Sequence, residues 1–145
     1  MTKHVLVVVA VATALALWLL AVSLPVAAFT TRDMLGRDVT LAAPPARIVS
    51  LVPSVTEILY ALHAEDVLVG VTDFCDFPPE ARRKPRVGGM VAPSLEAIVA
   101  LRPDLVIATT EGTPEHAVTQ LTRLKVPVDL VAAHRVADVT ALIVK

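Results

Sequence analysis

One cysteine, Cys75, stands in the 145 residues, which excludes an internal disulfide and leaves stability to packing in any redox compartment. As a lone thiol it reads as a small, buried, apolar side chain. Aromatics make up only 3% of the chain, so any aromatic placed in a polar loop carries weight. The formal net charge of -1 and pI near 6.4 provide no basic footprint, and nucleic acid is not an expected partner. Metal-binding spacings are missing as well. The histidines are scattered at His4, His63, His116 and His134, and Asp73 and Asp76, which flank Cys75, have no histidine near them and read as a solvated loop. Neither a G-x-G-x-x-G turn, a phosphate-binding G-x-x-x-x-G-K-[ST] loop nor a G-x-S-x-G elbow occurs. No catalytic residue, metal or cofactor is therefore expected, and the chain does not read as an enzyme.

What is present begins with a long apolar run. Lys3 and His4 precede uncharged sequence from Val5 to Leu24, and Pro25-Val26-Ala27-Ala28 follows. Residues 1–28 read as a secretory signal peptide cut after Ala28, with the protein exported and starting at Phe29. The alternative is an uncleaved N-terminal membrane anchor, since the run is long enough to span ~30 Å as a helix. No cysteine lies at the cleavage site, so lipid attachment is not expected. The remainder, 29–145, suits one domain of the commonest size, ~100 to 150 residues.

Apolar, β-branched runs at Arg47 to Leu51, Val67 to Val71, Leu105 to Ala108 and Val128 to Ala132 are continuous rather than alternating, which predicts strands buried on both faces of a parallel sheet. Phe29 to Leu41 reads as an edge hairpin turning at Leu35-Gly36-Arg37. Helices are predicted between the strands. Ser54 and Glu57, in capping-box relation, open one that runs to Leu62; Pro93-Ser94 opens one to Leu101; Thr113, as N-cap, opens one to Leu124; and Val136 to Lys145 begins a last one. A short helix is expected at Glu80 to Arg83. His63 falls where a helix C-terminus usually has glycine or asparagine, and reads as a left-handed cap on the surface. Strand and helix alternate, predicting an α/β layer structure with βαβ crossovers.

Ligands of open α/β sheets bind beyond the carboxyl ends of the strands. Four loops are expected there: Val52-Pro53-Ser54, Thr72 to Phe77, Gly88 to Met90 and Thr109 to Gly112. Two of the few aromatics share one of them. Phe74 is expected to face a ligand and Phe77, beside Pro78-Pro79, to plug the core.

Taken in order, Asp33-Met34-Leu35-Gly36-Arg37, Arg47 to Glu57, Val69 to Pro79, and Ser94-Leu95-Glu96 through Arg102-Pro103-Asp104-Leu105-Val106-Ile107 resemble the N-terminal lobe of class III periplasmic substrate-binding proteins for iron-siderophores, haem and vitamin B12. Asp-Phe-Cys-Asp-Phe-Pro-Pro is most similar to the vitamin B12-binding members. The resemblance implies a parallel-sheet, three-layer α/β lobe of a bilobal fold, with the second lobe absent because the sequence stops at Lys145. Whether it is a fragment, a truncated product or half of a split receptor stays open. It further implies capture of cobalamin or a related metal chelate and delivery to an ABC-transporter permease in the membrane, from a periplasmic location. Pro53 and Ser54 are then expected to contact ligand through loop backbone and Phe74 to stack on a corrin ring or chelate. Asp73, Gly89, Met90, Thr109 and Thr110 complete the expected ligand-facing set. Met90 stands where some members place an aromatic. Glu96 matches an acidic residue that pairs with permease arginines. The alternative is an exported or tethered single-lobe interaction module without transport activity.

Overall fold

The computed structural model describes residues 28–132. The signal or anchor segment and the helix expected at 136–145 lie outside them. A hairpin of β1 (Phe29–Arg32) and β2 (Asp38–Leu41) comes first. Four parallel strands follow, β3 (Ile48–Ser50), β4 (Leu68–Val71), β5 (Leu105–Thr109) and β6 (Val128–Val131), in the order β4-β3-β5-β6. They alternate with α1 (Pro53–Ala61), α2 (Leu95–Ala100) and α3 (Glu115–Arg123).

Why the runs are continuous is visible in how the faces divide. Val49, Val106, Ala108, Val128 and Leu130 join α2 and α3, through Ile98, Val118 and Leu121, in one core cluster. The intervening Ile48, Leu105, Ile107 and Val131 face the other way, toward Leu59 and Val55 of α1 and Val39 and Leu41 of the hairpin. Because successive strand side chains alternate faces, a sheet with helices on both sides needs apolar residues at every position. The expected parallel sheet and helical layers are what the structure shows.

The hairpin is fastened by Asp33, which is 4% exposed. Its Oδ1 accepts from the amides of Leu35 (3.0 Å) and Arg37 (2.8 Å), and its Oδ2 from Arg37 Nε at 2.6 Å. Burial pushes the carboxyl pKa up, but the hydrogen bonds from Arg37 and Leu35 and the Arg37 charge outweigh it and hold the pKa below the ordinary aspartate value. A folded-state pKa below the unfolded one stabilises the fold above the unfolded value, ~3.9, and this contribution is lost as pH falls through the folded pKa. The stability gap between wild type and Asp33→Asn should thus be constant near neutrality and close below about pH 4; urea melts at pH 7 and pH 3 read it, and a gap that widens in acid contradicts the assignment.

Helix ends depart from expectation at their starts and agree with it at a finish. Ser54 is not the N-cap of α1. Val52 takes that place, with no side-chain cap bond, and Pro53 is the first helical residue, where its missing N–H costs nothing and its φ is already helical. The capping box with Glu57 is therefore two residues out of register. Thr113 likewise yields the N-cap of α3 to Pro114, its hydroxyl accepting instead from the Thr109 amide at 3.4 Å. Ser94 does cap α2, accepting from the Ala97 amide at 3.2 Å, with Pro93 just outside the helix. His63 is left-handed, φ 54°, as expected. Its amide donates to Tyr60 O and that of Ala64 to Leu59 O, the paired bonds that close a helix C-terminus. Arg102 and Lys125 occupy the same place after α2 and α3, φ 46° and 60°. Arg47 also finishes α2, donating from Nη2 to Leu101 O at 2.7 Å and from Nε to the Leu101 and Arg102 carbonyls.

Candidate functional site

β3 and β5 are neighbours, and the chain leaves them in opposite directions, to β4 on one side and β6 on the other. The loops beyond their carboxyl ends diverge there, and such a switch in strand order is where open α/β sheets bind ligands. Pro53 and Ser54 sit on one lip, the first half-buried and the second exposed in the first turn of α1. In that turn the amides have no partner inside the helix and are available to a polar ligand. Thr109 and Thr110 close β5 on the other lip. Thr110 is exposed, whereas Thr109 is 7% exposed and its hydroxyl accepts from the Glu111 amide at 3.4 Å.

Beneath this edge lies a buried polar chain. Thr56 Oγ1 reaches Ser50 Oγ at 3.0 Å and Cys75 Sγ at 3.2 Å, Thr72 Oγ1 lies 3.2 Å from the same sulfur, and Ser50 Oγ donates to Val52 O at 2.9 Å. Ser50, Thr56, Thr72 and Cys75 are each 0–1% exposed. Cys75 is thus the small buried residue expected of it, and it also knits the loop after β4 to β3 and α1. Arg86 adds a second tie, its Nη1 donating to Thr72 O and, at 3.1 Å, to Cys75 O. With the Asp73 amide donating to Gly88 O at 3.0 Å, the Thr72–Phe77 loop is held from below and from the side.

The side chains left on the outer rim are apolar. Phe74 is 61% exposed, and a methyl at Gly89 would come within 3.6 Å of its Cε2, so the Gly88–Met90 loop backs the ring. Gly88, φ 87°, has to lack a Cβ, since one there would meet Ala92 O at 3.0 Å. Met90 reaches the β5 loop, where a methyl at Gly112 would stand 2.8 Å from Met90 Cε and 3.3 Å from Thr109 Cγ2. Phe74, Gly89, Met90 and Thr109 are therefore linked into one rim across three loops. Asp73 is exposed beside Phe74. Glu96 is exposed in the first turn of α2, its Oε2 accepting from Ser94 Oγ at 3.3 Å, and α2 starts just after the same edge, where Gly88 bridges to Pro93.

Phe77 corrects the sequence reading. It is 62% exposed, not a core plug, because the inward positions of this segment are filled by Cys75 at 1% and Ala81 at 0%. Two aromatic rings rather than one are thus presented to solvent. The parts that sequence reasoning missed are the Arg86 tie and the seating of Met90 on Gly112; both join residues distant in the chain, and only the small residue after Thr110-Glu111 hinted at a close approach.

Chemically, the edge offers a flat apolar ring surface, first-turn amides and solvated carboxylates. Among the described residues no group of three or more His, Cys, Asp or Glu is disposed to hold a metal ion, and no helix is long and apolar enough to cross a membrane.

Residues 48–140 match the model of the periplasmic binding protein family. A curated vitamin B12-binding protein of Pectobacterium carotovorum is 36% identical over 99 residues, covering 68% of this chain and 36% of that relative. Among solved structures, the periplasmic vitamin B12 binding protein BtuF of Vibrio cholerae superposes with a TM-score of 0.63 at 34% identity, over 68% of this chain and 38% of that one. A periplasmic heme binding protein from Pseudomonas aeruginosa gives 0.59 at 36% identity, over 61% and 32%. The chain spans roughly a third of the length of these relatives. That match, over most of a parallel α/β sheet of order β4-β3-β5-β6, places the chain in the periplasmic binding protein family.

Proposed function

We propose that the rim formed by Phe74, Gly89, Met90 and Thr109 is one wall of a site for a flat metal chelate, a corrinoid or haem, in a receptor that hands its ligand to an ABC-transporter permease outside the cytoplasm. The observation that carries this reading is Phe74, an exposed ring fixed by a loop tied through Thr56, Cys75 and Arg86 and backed by Gly89. A ring held at a crevice and uncovered by its own fold is suited to stacking on a macrocycle. Relatives named for vitamin B12 and heme support this ligand class. Pro53 and Ser54 supply backbone donors to polar edge groups of the ligand. Asp73 and Thr110 bound the crevice, and Glu96, exposed and near the edge, is the residue that meets basic groups on the permease.

The ligand is held without chemistry, so the relevant quantity is the fraction of it removed from water. Binding sites enclose ~70 to 90% of a ligand's surface, whereas the described residues provide one wall. Titrating this chain, from Phe29 to Lys145, with cobalamin and with haem should give a dissociation constant of about 0.1 mM or weaker. Sub-micromolar binding by the monomer would show that one wall suffices, and absence of any binding at millimolar ligand would remove the chelate reading.

A further inference from the structure

One further turn reaches the carboxyl edge of the sheet, and it comes from outside the parallel strands. β6 is an edge strand, and the turn of the hairpin lies against it. The Met34 amide donates to Leu130 O at 3.1 Å, and the Ala132 amide donates to Met34 Sδ at 3.3 Å. Val131, between those two residues, is the register partner of Thr109, the last residue of β5. Ala132 and the Met34 sulfur therefore stand level with Thr110, which the ligand edge already includes. Met34 is 37% exposed and Leu35 57%. We propose that Met34 and Leu35 form the β6 end of the chelate wall, an apolar stop for the rim of the macrocycle opposite the loop that carries Phe74.

Span, residue type and rigidity all support this. The strand order β4-β3-β5-β6 puts the Phe74 loop at one end of the edge and the hairpin turn at the other. Three strand spacings separate them, roughly 14 Å, and a tetrapyrrole with its peripheral groups fills such a span. Tight turns favour Gly, Asn, Asp and Ser. Here Asp33 and Gly36, φ 79°, meet that need, and the two positions between them carry large apolar side chains instead. The turn is also fixed in advance, because buried Asp33 accepts from the Leu35 and Arg37 amides, so little order is lost when a ligand arrives. A thioether and an isobutyl group carry no charge. They suit the alkyl edge of the ring, while its polar groups go to the first-turn amides of α1. The proposal rests on the chelate reading and extends that site by one loop.

Labelling the methionine methyl groups tests both together, since Met90 reports the rim and Met34 the turn. The full chain is titrated with cobalamin and with zinc protoporphyrin, a diamagnetic stand-in for haem. Both ε-methyl signals should move with one dissociation constant. Leu35→Asn should weaken binding about 3- to 10-fold without lowering the melting temperature. Its control is Leu62→Asn, 52% exposed in a groove of 240 Å³ beside α1 that is also lined by Phe29, Ile58, Leu105 and Ile107, and this variant should bind as wild type does. Movement of Met90 alone, or wild-type affinity in Leu35→Asn, overturns the proposal and leaves the chelate reading standing. Weakened binding in Leu62→Asn in place of Leu35→Asn puts the ligand on the sheet face and overturns both. If neither methyl moves at millimolar ligand, the chelate reading falls and the proposal with it.

Discussion

Leu121→Ala should cost about 2–5 kcal/mol of stability, the range for emptying a well-packed leucine site. Leu121 is fully buried and is the central contact of α3 in the cluster with Ile98, Val106, Val118 and Leu130. α3 has nine residues, Glu115–Arg123, too few to persist without tertiary contacts, since isolated helices shorter than ~12 to 15 residues are marginal. Neither end of it can move far to refill the space. The Lys125 amide donates to Thr122 O and that of Val126 to Leu121 O, and the opening turn is fixed by the Ala117 and Val118 amides to Pro114 O. Leu124, one turn on and 54% exposed, is the matched control, and Leu124→Ala should stay within about 0.5 kcal/mol. Urea melts of the two variants, at unchanged m, decide it; equal losses would mean that α3 is not packed as described.

The second large effect is on binding. Phe74→Ala should weaken chelate binding by ~1 to 3 kcal/mol, roughly 5- to 150-fold, through loss of ring stacking. Stability should hardly change, because Phe74 is 61% exposed. The same applies to Phe77→Ala, since 62% exposure leaves little packing to lose. Together, equilibrium titration and thermal melts of both variants separate a binding ring from a structural one. A Phe77→Ala protein that melts well below wild type would restore the core-plug reading, and unchanged affinity in Phe74→Ala would remove stacking from the account.

The architecture was legible because its cause is local and repeated. Four continuous apolar runs require a sheet covered on both faces, and the division of Ile48 from Val49 and of Leu105 and Ile107 from Val106 and Ala108 carries that through. His63 was legible for a similar reason, as a residue between a helical run and a strand. Ser54 misled because two rules competed at one turn: the capping pair with Glu57 and the preference of proline for the first helical position. Proline prevailed, since its φ is fixed while a serine cap is one of several ways to satisfy an amide. Phe77 misled because hydrophobicity says that a side chain gains from burial and not whether room remains; Cys75 and Ala81 had taken it. The Thr56–Cys75 and Arg86–Thr72 ties join residues far apart in the chain, so no spacing rule reveals them. The groove beside α1 depends on which side of the sheet each helix takes and emerges only from the assembled layers.

The central claim is that ligand meets this chain at the carboxyl edge of the sheet, across the loops of β3, β4 and β5. The most direct measurement is amide chemical-shift mapping of the isotope-labelled chain during titration with cobalamin. Shifts confined to Met34, Leu35, Ser54, Asp73 to Phe77, Gly88 to Met90 and Thr109 to Gly112, saturating with one dissociation constant, are the predicted result. Shifts centred instead on the groove lined by Leu62, Leu105 and Ile107, or spread over the opposite end of the strands near Arg47 and Lys125, would contradict it.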